Sequence, residues 1–174
     1  MVKTWRDCIL DVPDFPKPGI VFKDITPVLA DHAAFTELTA ELCGAWVESG
    51  ITHVVGVESR GFIFGTALAQ LLEAGLVLVR KPGKLPRPTH KVSYELEYGT
   101  DSLELHLDDL KPGDRVLISD DVLATGGTAE ATGNLVRAAG ATVVGFSFVI
   151  ELGFLSGREK LGGHGAVDSL LILE

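Results

Sequence analysis

Two adjacent carboxylates and a loop of small residues make the most chemically loaded stretch of the chain: Asp120-Asp121-Val122-Leu123-Ala124-Thr125-Gly126-Gly127-Thr128. The four residues before it, Val116-Leu117-Ile118-Ser119, suit a buried parallel strand, and residues 129–139 are mostly good helix formers despite Gly133. The loop therefore opens a helix. Unbonded backbone N–H groups and the positive end of the helix dipole favour an anion there, and Gly126 and Gly127 let the backbone come close to it. Thr125 and Thr128 add hydroxyl donors. A Walker A loop would need Lys and then Ser or Thr after its second Gly, and a dinucleotide fold would need G-x-G-x-x-G; neither occurs. Asp120 and Asp121 stand too close to the anion for their charge to favour it, so they need another partner. Ionised carboxylates only accept hydrogen bonds, which suits the vicinal hydroxyls of a ribose with a phosphate on its 5′ carbon. A tight turn with two solvated Asp residues is the bland alternative.

The elements that must position this run follow from the pattern around it. Val2, Trp5 and Ile9 fall at helical intervals, and Pro13, Pro16, Pro18 and Gly19 then force an extended, turn-rich path to Ile20-Val21-Phe22. Asp31 is suited to cap a helix over 32–48 that Gly50 stops. Residues 52–57 read as a strand ending in Glu58-Ser59-Arg60-Gly61, a second strand-to-helix turn, with a helix over 62–73. Arg60 and the loop N–H groups suit a pyrophosphate, although an Arg at a helix start can also be merely solvated. Residues 76–80 form a third strand. Its exit, residues 81–92, is polar and Pro-laced, and Arg80, Lys81, Lys84, Arg87 and Lys91 make it a positive stretch: a lid that an anion draws closed, or a solvated loop.

Residues 93–97 and 102–107 alternate apolar with polar around Tyr98-Gly99-Thr100-Asp101, which predicts an antiparallel hairpin with Glu97 at its tip. A strand over 142–151, a short helix near 155–161 and a strand over 168–173 complete the chain. The alternation predicts an α/β fold: an open, mostly parallel twisted sheet with helices on both faces. Ligands bind at the carboxyl edge of such sheets, where both anion loops fall.

Length and charge bound the function. At 174 residues and 46% apolar content, one domain over 1–174 can bury its own core. A net charge of −9 and a pI near 5.0 argue against a nucleic-acid or membrane surface, so the partner should be small. The charged start and the absence of a long apolar run point to a cytoplasmic protein. Cys8 and Cys43 lack CxxC spacing and the five His residues lie far apart, so reduced structural thiols and no protein-held metal are expected.

The run from Val116 to Thr128 resembles the phosphoribosyl pyrophosphate signature of the type I phosphoribosyltransferases. Residues 13–27, Glu58-Ser59-Arg60-Gly61-Phe62, Arg80-Lys81-Pro82-Gly83-Lys84-Leu85-Pro86 and Tyr94-Glu95-Leu96-Glu97-Tyr98-Gly99 narrow the likeness to the adenine phosphoribosyltransferase family. It covers nearly the whole chain. The resemblance implies purine salvage: adenine and phosphoribosyl pyrophosphate give AMP and pyrophosphate, with Mg²⁺ held by substrate oxygens and no protein side chain as its ligand. A sister enzyme for another base, or a regulator that senses phosphoribosyl pyrophosphate, is the alternative.

On this resemblance Asp120, Asp121, Ala124, Thr125, Gly126, Gly127, Thr128, Glu58, Ser59, Arg60 and Arg80 bind phosphoribosyl pyrophosphate, and residues 1–30 form a base-recognition segment. Backbone at Val21 reads the adenine edge, Phe22 and Val122 cover its faces, and Lys23, where many relatives have Arg, lies at its rim. On residue type alone, the Pro-rich loop and Phe22 could simply cap the core. Arg60 and Lys84 stabilise the departing pyrophosphate, Glu97 accepts the adenine proton, and the protein is a homodimer with a flexible lid loop.

Overall fold

Prolines at 13, 16 and 18 keep the early chain in short segments, because none of them can sit inside a continuing helix. The structure, a computed structural model, describes residues 4–95 and 99–174. The chain divides into two compact units, one ending at Glu41 and one beginning at Leu42. In the first, a 3₁₀ turn (Trp5–Cys8) replaces the expected helix, since the chain pairs at once as strand β1 (Leu10–Pro13), antiparallel to β2 (Val21–Asp24). A short helix α1 (Thr26–Ala30), not expected from the sequence, starts with Pro27 in its first turn. Most of helix α2 (His32–Gly44) follows, and Asp31 caps it as expected, accepting the Ala34 N–H at 3.0 Å. It ends sooner than position 48. The buried Trp5 ties the unit together, donating its backbone N–H to Glu37 at 2.9 Å and its indole N–H to Glu41 at 2.7 Å.

The second unit is built on a parallel sheet of five strands in the order β4-β3-β7-β8-β9. These are β3 (His53–Val57), β4 (Gly75–Val79), β7 (Arg115–Leu123), β8 (Thr142–Leu152) and β9 (Ala166–Leu173). Between β4 and β7 lies the antiparallel hairpin β5 (Thr89–Glu95) and β6 (Thr100–His106). It starts at Thr89, so only residues 81–88 remain for the expected lid. Glu97 lies outside the described residues.

Helix α3 (Gly61–Leu71) joins β3 to β4, and α4 (Gly127–Ala138) joins β7 to β8. These crossovers step away from the sheet centre in opposite directions, and right-handed parallel crossovers then put the two helices on opposite faces. The point between β3 and β7 where the direction reverses is where such sheets bind ligands. Aliphatic and aromatic residues including Val55, Val57, Ile118, Leu135, Phe146 and Phe148 form the core beneath it. A 3₁₀ turn (Gly153–Leu155) and the one-turn helix α5 (Gly157–Lys160) link β8 to β9. No helix among the described residues is long and apolar enough to cross a membrane.

Candidate active site

Strand β7 runs on to Leu123, so Asp120 and Asp121 belong to the strand rather than to the loop after it. Alternation along a strand sends neighbouring side chains to opposite faces, which gives the two acids different surroundings. Asp121 is buried and Asp120 half-buried. Burial, with the neighbouring Asp121 charge, pushes the Asp120 carboxyl well above the usual carboxylate range. Asp121 accepts a hydrogen bond from Nε of Arg60.

Arg60 reaches Asp121 because α3 begins hard against β7. A Cβ added to Gly61 would lie 2.7 Å from the Ser119 carbonyl oxygen and 2.9 Å from Oδ1 of Asp120, so only glycine allows that approach. The turn before it carries Glu58, whose Oε2 accepts the Lys81 backbone N–H at 2.9 Å. That bond outweighs burial and, with Arg80 and Lys84, holds Glu58 below its usual range. The Arg80 guanidinium lies 3.3 Å from Oε2 of Glu58. It braces this turn and is not among the residues lining the cavity.

The loop after β7 is held differently. Gly126, at φ +81, is the N-cap of α4, and the first i→i−4 bond of the helix runs from the Glu130 N–H to the Gly126 carbonyl at 2.9 Å. The N–H groups of the turn before that bond are those a helix offers to an anion. Ala124, Thr125, Gly126, Gly127 and Thr128 all border a small recess of about 80 Å³.

That recess adjoins a cavity of about 490 Å³ whose wall includes Glu58, Ser59, Arg60, Asp120, Asp121, Val122, Ala124 and Thr128. The structure thus gathers most residues that the sequence assigns to the sugar and its phosphates. Lys84 is exposed and outside this wall, and Val21, Phe22 and Lys23 belong to the first unit. There the Lys23 ammonium sits 2.6 Å from Oδ1 of Asp11, its register partner across the β1–β2 pair, and Phe22 packs edge-on to Phe15.

Tyr94, Asp101 and Leu103 also line the cavity, and sequence reasoning missed them as site residues. Lys81, read as lid charge, lines it too and pairs with Asp101. The Tyr94 hydroxyl lies 3.2 Å from Oγ1 of Thr128, linking the hairpin to the start of α4. The alternation that predicted the hairpin was the available signal, because it puts Tyr94 on one face of β5.

Among the described residues no cluster of three His, Cys, Asp or Glu side chains can cage a metal. The carboxylates on the cavity wall are hard oxygen groups compatible with Mg²⁺, but an ion there must bring most of its oxygens with it.

Residues 25–160 match the family described as phosphoribosyl transferase domain. The adenine phosphoribosyltransferase of Anaeromyxobacter sp. strain Fw109-5 is 59% identical over 157 residues, covering 90% of this chain and 89% of that protein. The crystal structure of the adenine phosphoribosyltransferase from Rhodothermus marinus superposes with a TM-score of 0.91 at 56% identity, covering 97% of this chain and 96% of the other. The Saccharomyces cerevisiae enzyme, complexed with adenine and an imino-altritol bisphosphate, gives 0.89 at 42% identity over 96% of both chains. Likeness of this extent reaches far beyond the signature run that sister enzymes share, and the chain belongs to the adenine phosphoribosyltransferase family.

Proposed function

We propose that this enzyme transfers the 5-phosphoribosyl group of phosphoribosyl pyrophosphate to adenine, giving AMP and pyrophosphate. The observation that carries the reading is the convergence of two strand-to-helix loops on one cavity at the sheet's switch point, with the acid pair in its wall. The Ala124–Thr128 loop takes the 5′-phosphate, Asp120 and Asp121 the ribose hydroxyls, and the Glu58-Ser59-Arg60 turn the pyrophosphate. Adenine bound in the yeast enzyme supports the choice of base.

N9 of adenine attacks the anomeric carbon as the bond to the pyrophosphate oxygen breaks, so positive charge builds on the sugar and negative charge on the leaving group. Arg60 and Lys84 offset the latter, and Lys84 must close in to do so. Arg60 is paired with Asp121, which orients its guanidinium beside the sugar site. Mg²⁺ brought in with the substrate's oxygens would further neutralise the leaving charge, while Asp120 and Asp121 hold the ribose. Adenine binds as the tautomer protonated at N7, which leaves the N9 lone pair free to attack, and Glu97 accepts the N7 proton as the new bond forms. Backbone at Val21 reads the N1 and 6-amino edge, with Phe22 and Val122 over the ring faces and Lys23 at the rim. A base presenting the reverse donor–acceptor pair leaves buried groups unpaired, at about 1–3 kcal/mol each. The working form is a cytoplasmic homodimer of single-domain subunits.

Pyrophosphate release with Mg²⁺ and a panel of adenine, hypoxanthine, guanine, xanthine, orotate and uracil tests the reading. Adenine should lead by at least about tenfold, and another base in front would overturn it.

A further inference from the structure

Behind the phosphate loop lies a charged pair that no step of the reaction uses. Glu151, near the end of β8, is only 4% exposed, and its carboxylate takes both prongs of Arg158 from α5. Nε of Arg158 donates to Oε1 at 2.9 Å and Nη2 to Oε2 at 2.5 Å. The same guanidinium donates Nη1 to the Val167 carbonyl at 2.6 Å and Nη2 to the Ser169 hydroxyl at 3.4 Å, both on β9. An ion pair adds little net stability, but a half-exposed guanidinium held at once by a buried carboxylate, a carbonyl and a hydroxyl is rigid and fixes the plane and distance of what it joins.

What it joins is the turn under the loop. Arg158 follows Gly157, and a Cβ on Gly157 would overlap the Ala124 carbonyl oxygen and come within 3.1 Å of the Gly126 nitrogen. From the other side, a Cβ on Gly126 would lie 2.7 Å from the Gly157 oxygen. The two backbones therefore touch, with no side chain between them. One turn on, the Lys160 ammonium lies 3.5 Å from Oε2 of Glu130, in the first turn of α4.

We infer that Glu151 and Arg158 are positioning residues for the 5′-phosphate loop: the pair holds Gly157 against Ala124 and Gly126, and so sets the loop's N–H groups where a phosphate is bound. The inference rests on the reading of residues 124–128 as the phosphate site. Neither side chain lines the cavity, so both act through the loop backbone alone. An apolar wedge would fill the same space without fixing direction. Displacing an anion cradle by a fraction of an ångström weakens every bond it makes at once.

Calorimetry on Glu151→Gln tests it, with AMP as the ligand that reports the loop and pyrophosphate as the one that reports the other turn. AMP affinity should fall about tenfold to hundredfold while pyrophosphate affinity stays within about twofold. The KM for phosphoribosyl pyrophosphate should rise while kcat at saturation holds within about threefold. Arg158→Lys keeps the charge but cannot span Glu151, Val167 and Ser169 together, so it should fall between the two. Unchanged AMP affinity, or equal loss for both ligands, overturns the proposal; if Glu151→Gln does not fold, Arg158→Lys is judged by the same comparison. A Thr125→Asp/Thr128→Asp double variant, which sets carboxylates beside the loop's N–H groups, separates the two layers. Should it bind AMP normally, the loop reading falls and the proposal with it; should it lose AMP while Glu151→Gln does not, only the positioning role falls.

Discussion

The turns after β3 and β7 stand at the same edge of the sheet, and the proposed function gives both a phosphate group to hold, but they are made of different material. The first is made of charged side chains: Arg60 paired to Asp121, and Glu58 held by Arg80 and the Lys81 N–H. The second is made of backbone, with Gly126 at φ +81 resting on Gly157 and no ion pair from its own residues among those described. On the proposed assignment the first turn takes a pyrophosphate, which carries more charge than one helix end can offset and so calls for Arg. A single phosphate is served by converging N–H groups, and there small residues matter more than charge. The difference says that the first turn should fail electrostatically and the second sterically.

Removing charge from the first turn should have the largest effect. Arg60→Ala should cut kcat about 10²–10³-fold, the cost of losing one donor aimed at developing charge, with Arg60→Lys retaining part of it. A steady-state assay at saturating substrate checks this, and a silent Arg60→Ala would break the comparison on its electrostatic side.

The steric counterpart is Gly126→Ala, which puts an L residue at positive φ and a methyl group 2.7 Å from the Gly157 oxygen. It should destabilise the fold by about 1–3 kcal/mol and weaken AMP more than pyrophosphate. Thermal unfolding with paired binding measurements reads both quantities. Equal loss of the two ligands would mean that the loops are not independent devices.

The acid pair stands between the two turns. Asp121→Asn should weaken phosphoribosyl pyrophosphate binding by about 1.5–3 kcal/mol, the scale of a hydrogen bond to a charged group, and should also release Arg60. In a double-mutant cycle with Arg60→Ala the two losses should fall short of adding, because both variants break the same ion pair. Full additivity would deny that the pair matters.

The smallest effect is on pH dependence, where two carboxyls should pull in opposite directions. Glu58 lies below its usual range in the fold, so the stability it contributes is present above that range and is lost as pH falls through its folded value. Asp120 lies above, so its contribution is present at low pH and is lost as pH rises from the ordinary carboxylate range through its folded value. Asp120→Asn should therefore raise the melting temperature of the ligand-free protein increasingly across that window, and Glu58→Gln should lower it at neutral pH. Melting curves from pH 4 to 8 that move together in both variants would contradict this assignment.

Much of this architecture can be read along the chain. Apolar strand runs, helix formers behind small-residue loops and the Asp31 cap are local features, and physics that acts within a few residues makes them visible. Adjacent Asp120 and Asp121 before Thr125-Gly126-Gly127-Thr128 point to a phosphorylated sugar for the same reason. The start of the chain was less legible. Trp5 and Ile9 have helical spacing, yet pairing of β1 with β2 claims the backbone from Leu10 onward, and strand pairing is a contact that no local window contains.

Only the tertiary structure decided which charges meet. Arg60 meets Asp121 across 61 positions of sequence, and Tyr94 reaches Thr128 across 34. Lys81, just past β4, and Asp101, on β6, meet in the cavity wall across 20 positions of sequence. Arg80, read from the resemblance as a ligand of phosphoribosyl pyrophosphate, is placed by the fold beside Glu58. Above all, Gly157 is one of 20 glycines in the sequence, and only the packing of α5 under the loop after β7 distinguishes it. Sequence determines which groups can do chemistry and which segments become strands or helices, because both follow from side-chain type and short spacing. The fold decides which of those groups are buried, paired or brought within bonding distance, because burial and charge pairing depend on separation in space.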